Sequence, residues 1–333
     1  MAIELPYRIA AAISALAVYS AASNTTKAQE AVASYPSRNI TFVIPFPAGG
    51  VPDIVARIIS PPLSDILGKP VVVENRPGAS TTLATTSVVR AAPDGYTILS
   101  VDISYTVAPN LVVKANYDPL ADLTPVVLTS RSSLFLAVNP ALPAKSPQEL
   151  VALAKAKPGE LKYGTSGIGT PPHLGAVSFL NATGVNMLHV PYRGAALALQ
   201  DVVGGHIQLI FTAPSVAASQ GKAGQVRVLG VTGAQRSSSL PEVPTFKESG
   251  INMKEFDFGT WFGVMVPNGT PGGIVTKLNE AINKVLVMPD VQEKLAKQDF
   301  SIAGGAPSEL TKVVELQTKY WREALQAAGV KPE

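Results

Sequence analysis

The stretch Ile40-Thr41-Phe42-Val43-Ile44-Pro45-Phe46-Pro47-Ala48-Gly49-Gly50-Val51-Pro52-Asp53 decides the reading of the fold. Its first five residues are mostly apolar and β-branched, the pattern of a buried strand. Proline and glycine then break the pattern, and Ile54, Ile58 and Ile59 recur beyond Asp53 at helical spacing. A strand that turns through glycines into a helix leaves backbone N–H groups open at the helix start, where they attract anions. The order repeats downstream. Residues 71–74 read as a strand, Asn75-Arg76-Pro77-Gly78 as a break, residues 81–91 as a helix and residues 96–101 as a third strand. This βαβαβ order predicts a mostly parallel sheet with helices on both faces, and ligands of such sheets lie beyond the carboxyl ends of the strands.

A second glycine loop has the same grammar. Tyr163-Gly164-Thr165-Ser166-Gly167-Ile168-Gly169-Thr170-Pro171-Pro172 runs from a strand into a helix that reaches about Thr183. Thr170 suits the N-cap and Pro171 the first helical position. The prolines carry no N–H, so donors to an anion must come from residues 166–170, with the hydroxyls of Thr165, Ser166 and Thr170 beside them. Around this loop the chain predicts a second α/β unit. Ser146 and Glu149 form a capping box before residues 147–156, strands follow near 186–190, 207–211 and 226–231, and a helix covers 195–203. After an extended segment at 256–266, helices near 274–287 and 307–328 close the chain.

These elements predict two α/β lobes with a ligand cleft between them, the C-terminal helices returning to the first lobe. Lobe 1 is expected to hold residues 37–138 plus 262–333 and lobe 2 residues 139–261, with crossings near Val138 and Trp261.

Composition narrows the function. The 333 residues are 46% hydrophobic, enough for a sizeable core, and the net charge of +3 is too small and too dispersed to argue for nucleic acid. There is no cysteine, which excludes disulfides, thiolate metal sites and a cysteine nucleophile. The three histidines, His173, His189 and His206, have no metal-ligand spacing, and no cofactor motif occurs. Arg8 precedes the apolar residues 9–22, so residues 1–28 read as a signal peptide cleaved after Ala22 or Ala28, which predicts export to the periplasm.

Several side chains are candidates for the cleft. Asp53 stands at a helix start, where it either caps N–H groups or meets a ligand, and Arg57 is placed to pair with it. Ser80 or Thr81 follows the second strand. His173 lies in the first turn after the second loop, as a packing residue or a cleft contact. Tyr192, Gly194 and Ala195 precede a third helix start, with Arg193 either a clamp or a surface arginine, and Thr212 ends a strand. A secreted hydrolase using Ser166 and His173 is the alternative from another class, although Gly164-Thr165-Ser166-Gly167-Ile168 lacks the last glycine of a nucleophile elbow.

These segments, in this order, resemble the substrate-binding proteins of tripartite tricarboxylate transporters, the Bug or TctC family. Residues 45–57, 71–79, 93–99, 163–174, 189–194, 204–211, 240–245 and 261–271 carry the resemblance. It implies a two-lobe periplasmic binding protein of the type II-like kind, expected to be a monomer, that closes over one small carboxylate and delivers it to integral-membrane permease subunits; a ligand sensor feeding a sensor kinase is the other outlet. The family's grip on the carboxylate carries over to Pro47, Ala48, Gly49 and Gly50, with Phe46 beside them, and to Ser166, Gly167 and Thr170. Two departures bear on the ligand. Ser80-Thr81-Thr82 follows Gly78-Ala79 where further glycines are usual, and Gln208 stands where an acid is common. Loss of that acid favours a di- or tricarboxylate or an aromatic acid over an amino acid.

Overall fold

The computed structural model describes residues 32–256 and 259–327, so the predicted signal segment lies outside the described residues. The chain opens with β1 (Ile40–Ile44), α1 (Val51–Leu67), β2 (Val71–Asn75), α2 (Thr82–Val89), β3 (Thr97–Asp102), α3 (Ile103–Leu111) and β4 (Leu123–Ser132). It continues through β5 (Phe135–Val138), α4 (Pro147–Ala156), β6 (Lys162–Thr165), α5 (Pro171–Thr183), β7 (Leu188–Pro191), α6 (Ala195–Val203), β8 (Leu209–Thr212), α7 (Pro214–Lys222) and β9 (Arg227–Val231). It closes with β10 (Thr260–Pro267), α8 (Gly272–Leu286), α9 (Pro289–Ala296), β11 (Phe300–Ile302) and α10 (Pro307–Ala327).

Two sheets form, ordered β11-β4-β10-β3-β1-β2 and β7-β6-β8-β5-β9. They are mixed rather than mostly parallel. Helical crossovers make β1 parallel to β2 and β3, and β6 parallel to β7 and β8. The strands that carry the chain between sheets are free of that crossover geometry. β10 therefore enters sheet 1 antiparallel to both β3 and β4, and β5 enters sheet 2 antiparallel to β8 and β9. The change of sheet falls at Ser133 and Leu134 instead of near Val138, because Phe135–Val138 already pairs within sheet 2. The return falls beside Trp261, since β10 pairs with β4 from Thr260 onward.

Local chemistry explains the element ends. The Ser146 hydroxyl accepts from Glu149 N–H, and Glu149 Oε2 accepts from Lys145 N–H, which closes the expected capping box one residue early. Gly68, with φ 69°, ends α1 in the left-handed conformation that favours glycine. One face of sheet 1 buries Phe42, Ile98 and Val264 under α1 and α8. On the other face an apolar cluster runs unbroken from Val101 and Leu111 through Leu134 to Phe211 and Phe179 of the second lobe. α10 packs on β4 and α3, so the chain's last described helix returns to the first lobe. Within the described residues, no helix is long and apolar enough to cross a membrane.

Candidate functional site

Because β1, β2 and β3 run parallel, the segments that follow them gather at one edge of sheet 1. β6, β7 and β8 do the same for sheet 2, which places Thr165, Pro191 and Thr212 at one edge. Every segment named from the sequence therefore sits at a strand's carboxyl end, apart from Gln208. That residue precedes β8, where its Oε1 accepts from Lys162 N–H at 2.8 Å. It lies at the opposite edge of sheet 2 and belongs to the sheet, so its identity has no bearing on a ligand's amino group.

The first loop is fastened from within. Asp53 is buried, and its Oδ2 accepts from Gly49 N–H at 2.8 Å and from Arg57 Nε at 2.9 Å. Asn75, at the end of β2, donates to Asp53 Oδ1 at 2.9 Å. Burial works to raise the Asp53 pKa, but the bonds from Arg57, Gly49 and Asn75 outweigh it and hold the carboxyl below its ordinary value. Both oxygens are thus committed to the loop, and Asp53 positions rather than faces a ligand. Gly50 N–H donates to Pro47 O at 3.1 Å. The two glycines expected as donors are already engaged; among the described residues, no acceptor meets the N–H of Ala48 or Val51. Pro47, Ala48 and Gly49 are exposed, with Phe46 and Gly50 half-buried behind them.

The neighbouring turn has strained backbone. Ala79, Ser80 and Thr81 all take positive φ, at 45°, 50° and 75°. Thr81 occupies the N-cap of α2 without capping it, and its hydroxyl is buried and unpaired. Ser80 is half-buried.

In the second loop, Thr170 has N-cap backbone geometry, but its hydroxyl turns back to Gly167 O at 2.7 Å and caps no N–H. Pro172 removes the second-position donor that an N-cap can serve, which leaves the His173 N–H. Ser166 Oγ donates to Thr170 Oγ1 at 3.0 Å. Gly167 N–H reaches Thr165 Oγ1 at 3.3 Å, and Gly169 N–H donates to His173 Nδ1 at 3.1 Å. Among the described residues, the N–H groups of Ser166 and Ile168 have no acceptor. His173 is buried against His189, and burial first, then His189, lowers its pKa to about 3. His189 itself is lowered to about 4 by burial. No hydrogen bond joins Ser166 to His173 among the described residues, and the imidazole Nδ1 is occupied by a backbone donor. The nucleophile–base pair of the hydrolase reading does not form.

The third segment stands beside the second. Tyr192 N–H donates to Thr165 O at 3.0 Å, and a Cβ on Gly167 would lie 3.9 Å from Tyr192 O. The Tyr192 hydroxyl is turned away, donating to Asp201 Oδ2 at 2.5 Å, so its phenol braces α6. Gly194 caps α6 by position and Ala195 is exposed behind it. Arg193 is exposed. Thr212 is buried at the same sheet edge.

Three residues enter that the sequence reading left aside or unresolved. Asn75 locks the first loop. His189 supports the second. Asp102, the last residue of β3, caps α3 by accepting from Ser104 N–H at 2.9 Å, while its Oδ2 is buried and unpaired, as is Ser104 Oγ. Burial, opposed by the bond from Ser104 N–H, raises its pKa to about 7. Tyr105 is structural: its hydroxyl donates to Pro119 O and its ring stacks on Tyr117 at 5.3 Å. α3 also joins the two lobes, because a Cβ on Gly169 would lie 2.9 Å from Leu111 Cδ1. Among the described residues no group of acidic or histidine side chains is arranged to hold a metal.

Two lobes, each offering a glycine loop at the carboxyl edge of its sheet, define a solute-binding protein of the periplasmic two-lobe kind. The chain belongs to the tripartite tricarboxylate transporter family receptors, TctC, whose pattern matches residues 55–330. It is 33% identical over 300 residues to Protein BugT of Bordetella pertussis, covering 90% of this chain and 91% of that one. The structure of the periplasmic binding protein BugD superposes with a TM-score of 0.81 at 34% identity, over 90% of this chain and all of that one (100%). An R. palustris protein with adipate gives 0.82 at 34% identity, over 90% and 100% of the two chains. MatC from Rhodopseudomonas palustris with bound malate gives 0.80 at 30%, over 87% and 100%. These relatives are binding proteins and receptors, and the chain is a solute-binding receptor rather than an enzyme.

Proposed function

We propose that this receptor captures a small organic carboxylate between residues 46–50 and 165–170 and delivers it to integral-membrane permease subunits of the tripartite tricarboxylate type. The observation that carries the reading is the set of open donors. Among the described residues, Ala48 and Val51 on one lobe, and Ser166 and Ile168 on the other, keep N–H groups without acceptors while their neighbours are locked internally. Neutral backbone dipoles held in fixed directions stabilise an anion without a permanent counter-charge. Relatives solved with malate and adipate support a carboxylate as the ligand class.

The lobes are taken as residues 37–132 with 260–327, and residues 135–256. Ligand enters the open cleft, the loops converge, and the lobes close by hinge motion. Phe46, Ser80, Gly194, Ala195 and Thr212 line the space beyond the carboxylate, where specificity is set. The mature chain, cleaved after Ala22 or Ala28, works as a periplasmic monomer.

A thermal-shift screen of the mature protein against di-, tri- and aromatic carboxylates tests this. Because ligand binding to the folded state adds stability, a cognate acid at about 100 times its Kd adds about 2.7 kcal/mol and raises Tm by several degrees. A panel without any shift, or a ligand-bound crystal with the acid remote from both loops, overturns the proposal.

A further inference from the structure

Beneath the second loop the rings of Tyr163, His189 and His173 stack in a row. Centroids are 4.9 Å apart for the first pair and 4.4 Å for the second, with interplanar angles of 15° and 24°. The three rings come from β6, β7 and the first turn of α5, so the stack ties together the elements that flank the loop. Each imidazole touches the loop through one nitrogen. His189 Nε2 lies 2.7 Å from Thr165 Oγ1, the same oxygen that accepts from Gly167 N–H at 3.3 Å. His173 Nδ1 accepts from Gly169 N–H at 3.1 Å. Gly167 and Gly169 hold φ at 127° and 74°, conformations that glycine reaches freely and leaves as freely, so the hydrogen bonds select them. The stack therefore holds the Ser166–Gly167 and Ile168–Gly169 peptides, which flank the Gly167–Ile168 peptide that carries the Ile168 N–H.

We infer that His173 and His189 are a stacked pair of positioning residues that orient residues 166–170, so that the Ser166 and Ile168 N–H groups are presented to the ligand. The inference rests on the carboxylate-binding reading for its purpose, but not for its geometry. It also dictates tautomers. A nitrogen that accepts from Gly169 N–H carries no proton, so the His173 proton is on Nε2. Thr165 has one hydroxyl proton, which goes either to His189 Nε2 or to Gly167 O, 3.3 Å away. The groups facing the pair are Tyr163 on β6 and the two imidazoles themselves, so the arrangement holds while both rings are neutral.

The test begins on the ligand-free mature protein. Nitrogen-15 NMR of the histidines is expected to show His173 as the Nε2–H tautomer from pH 8 to pH 5. Hydrogen exchange at Gly167 and Gly169 is expected to rise roughly tenfold or more in His189→Phe and His173→Phe, which keep a stacking ring and lose the polar nitrogen. His189→Gln and His173→Asn, which restore an acceptor near Nε2 or Nδ1, are expected to recover most of the protection. An Nδ1–H tautomer at His173, or unchanged exchange in both Phe variants, overturns the inference. So does equal loosening in the Phe and amide variants, because that reports packing alone. If the loop behaves as expected but no carboxylate binds the wild type, the functional reading fails and the positioning role stands. Where a carboxylate does bind, the His189→Phe affinity is expected to fall roughly tenfold and the Gln variant to recover it, because preorganisation is lost and regained.

Discussion

The side-chain amide of Asn75 joins the two ends of the first loop. Its nitrogen donates both to Asp53 Oδ1 at 2.9 Å and to Phe46 O at 3.0 Å, while its oxygen accepts from the Arg57 guanidinium at 3.0 Å. β2, the loop and the first turn of α1 are locked by one residue.

Asn75→Ala leaves the Phe46 carbonyl and one Asp53 oxygen without these partners. A loss of about 1–3 kcal/mol is expected in urea unfolding, the cost of partly buried polar groups left unpaired. Asn75→Asp is expected to lose more, because it sets a second carboxylate against Asp53. Calorimetry of either variant should also show weaker ligand binding, since the loop that presents Ala48 is no longer held.

Gly49 and Gly167 have φ of 78° and 127°, and a Cβ at either position meets no atom closer than 3.7 Å. The obstacle to a side chain is thus backbone conformation rather than space. Gly49→Val and Gly167→Val are expected to fold, with a local cost of about 1–3 kcal/mol, and to lose ligand affinity by roughly tenfold or more as the loop peptides reorient. Unchanged affinity in Gly167→Val by calorimetry would remove the second loop from the site.

Gly259 is a different case. At φ 67° its Cβ would fall 2.3 Å from the Ser132 carbonyl oxygen, a backbone atom with nowhere to move. Gly259→Ala is expected to cost about 3 kcal/mol or more through strain and displaced backbone, read as a lower denaturant midpoint. A midpoint equal to wild type would show that the approach of the two crossing segments is looser than the structure has it.

The pH dependence of stability is set by opposed groups. His173 and His189 have folded pKa values of about 3 and about 4, below the ordinary 6.5. The unfolded chain therefore binds protons that the folded one refuses, and their contribution is complete above pH 6.5 and is lost as pH falls toward those values. Asp102, raised to about 7, acts in the other sense: its folded form holds a proton that the unfolded chain releases above pH 4, so stability falls as pH rises through 7. Asp102→Asn keeps an acceptor for Ser104 N–H. Relative to wild type it is expected to be about 2 kcal/mol more favourable at pH 8 than at pH 4.5, from 1.36 kcal/mol per pKa unit discounted for relaxation. His173→Phe is expected to flatten the acid limb between pH 6.5 and 4. Urea titrations from pH 4 to pH 8 read both effects.

Much of this architecture is legible in the chain. Both glycine loops, the cap at Ser146, and the parallel runs β1–β3 and β6–β8 follow from apolar periodicity and turn residues. The unseen parts share physical causes. α3 follows β3 without a break because Asp102 serves as both strand end and cap, and Pro109 inside the helix disguises it. β4 and β10 pair at a separation of more than a hundred residues, so nothing local announces their antiparallel register. At the site, Asp53 and Arg57 were readable from their helical spacing. Asn75 and His189 were not, because each acts across a strand boundary on a residue distant in sequence.

Only Ser133 and Leu134 separate β4 from β5, and Leu134 is pinned at both backbone atoms: Thr232 Oγ1 takes its N–H at 2.8 Å, and its carbonyl takes Thr232 N–H at 2.9 Å. Two residues reach no farther than about 7 Å even when stretched. The returning strand presses Gly259 and Thr260 against Ser132 at the same spot. The hinge of the proposed closure therefore falls at this seam: the two halves stay tethered on this side and cannot slide apart, so a ligand entering between them in that closure is clasped from the far side.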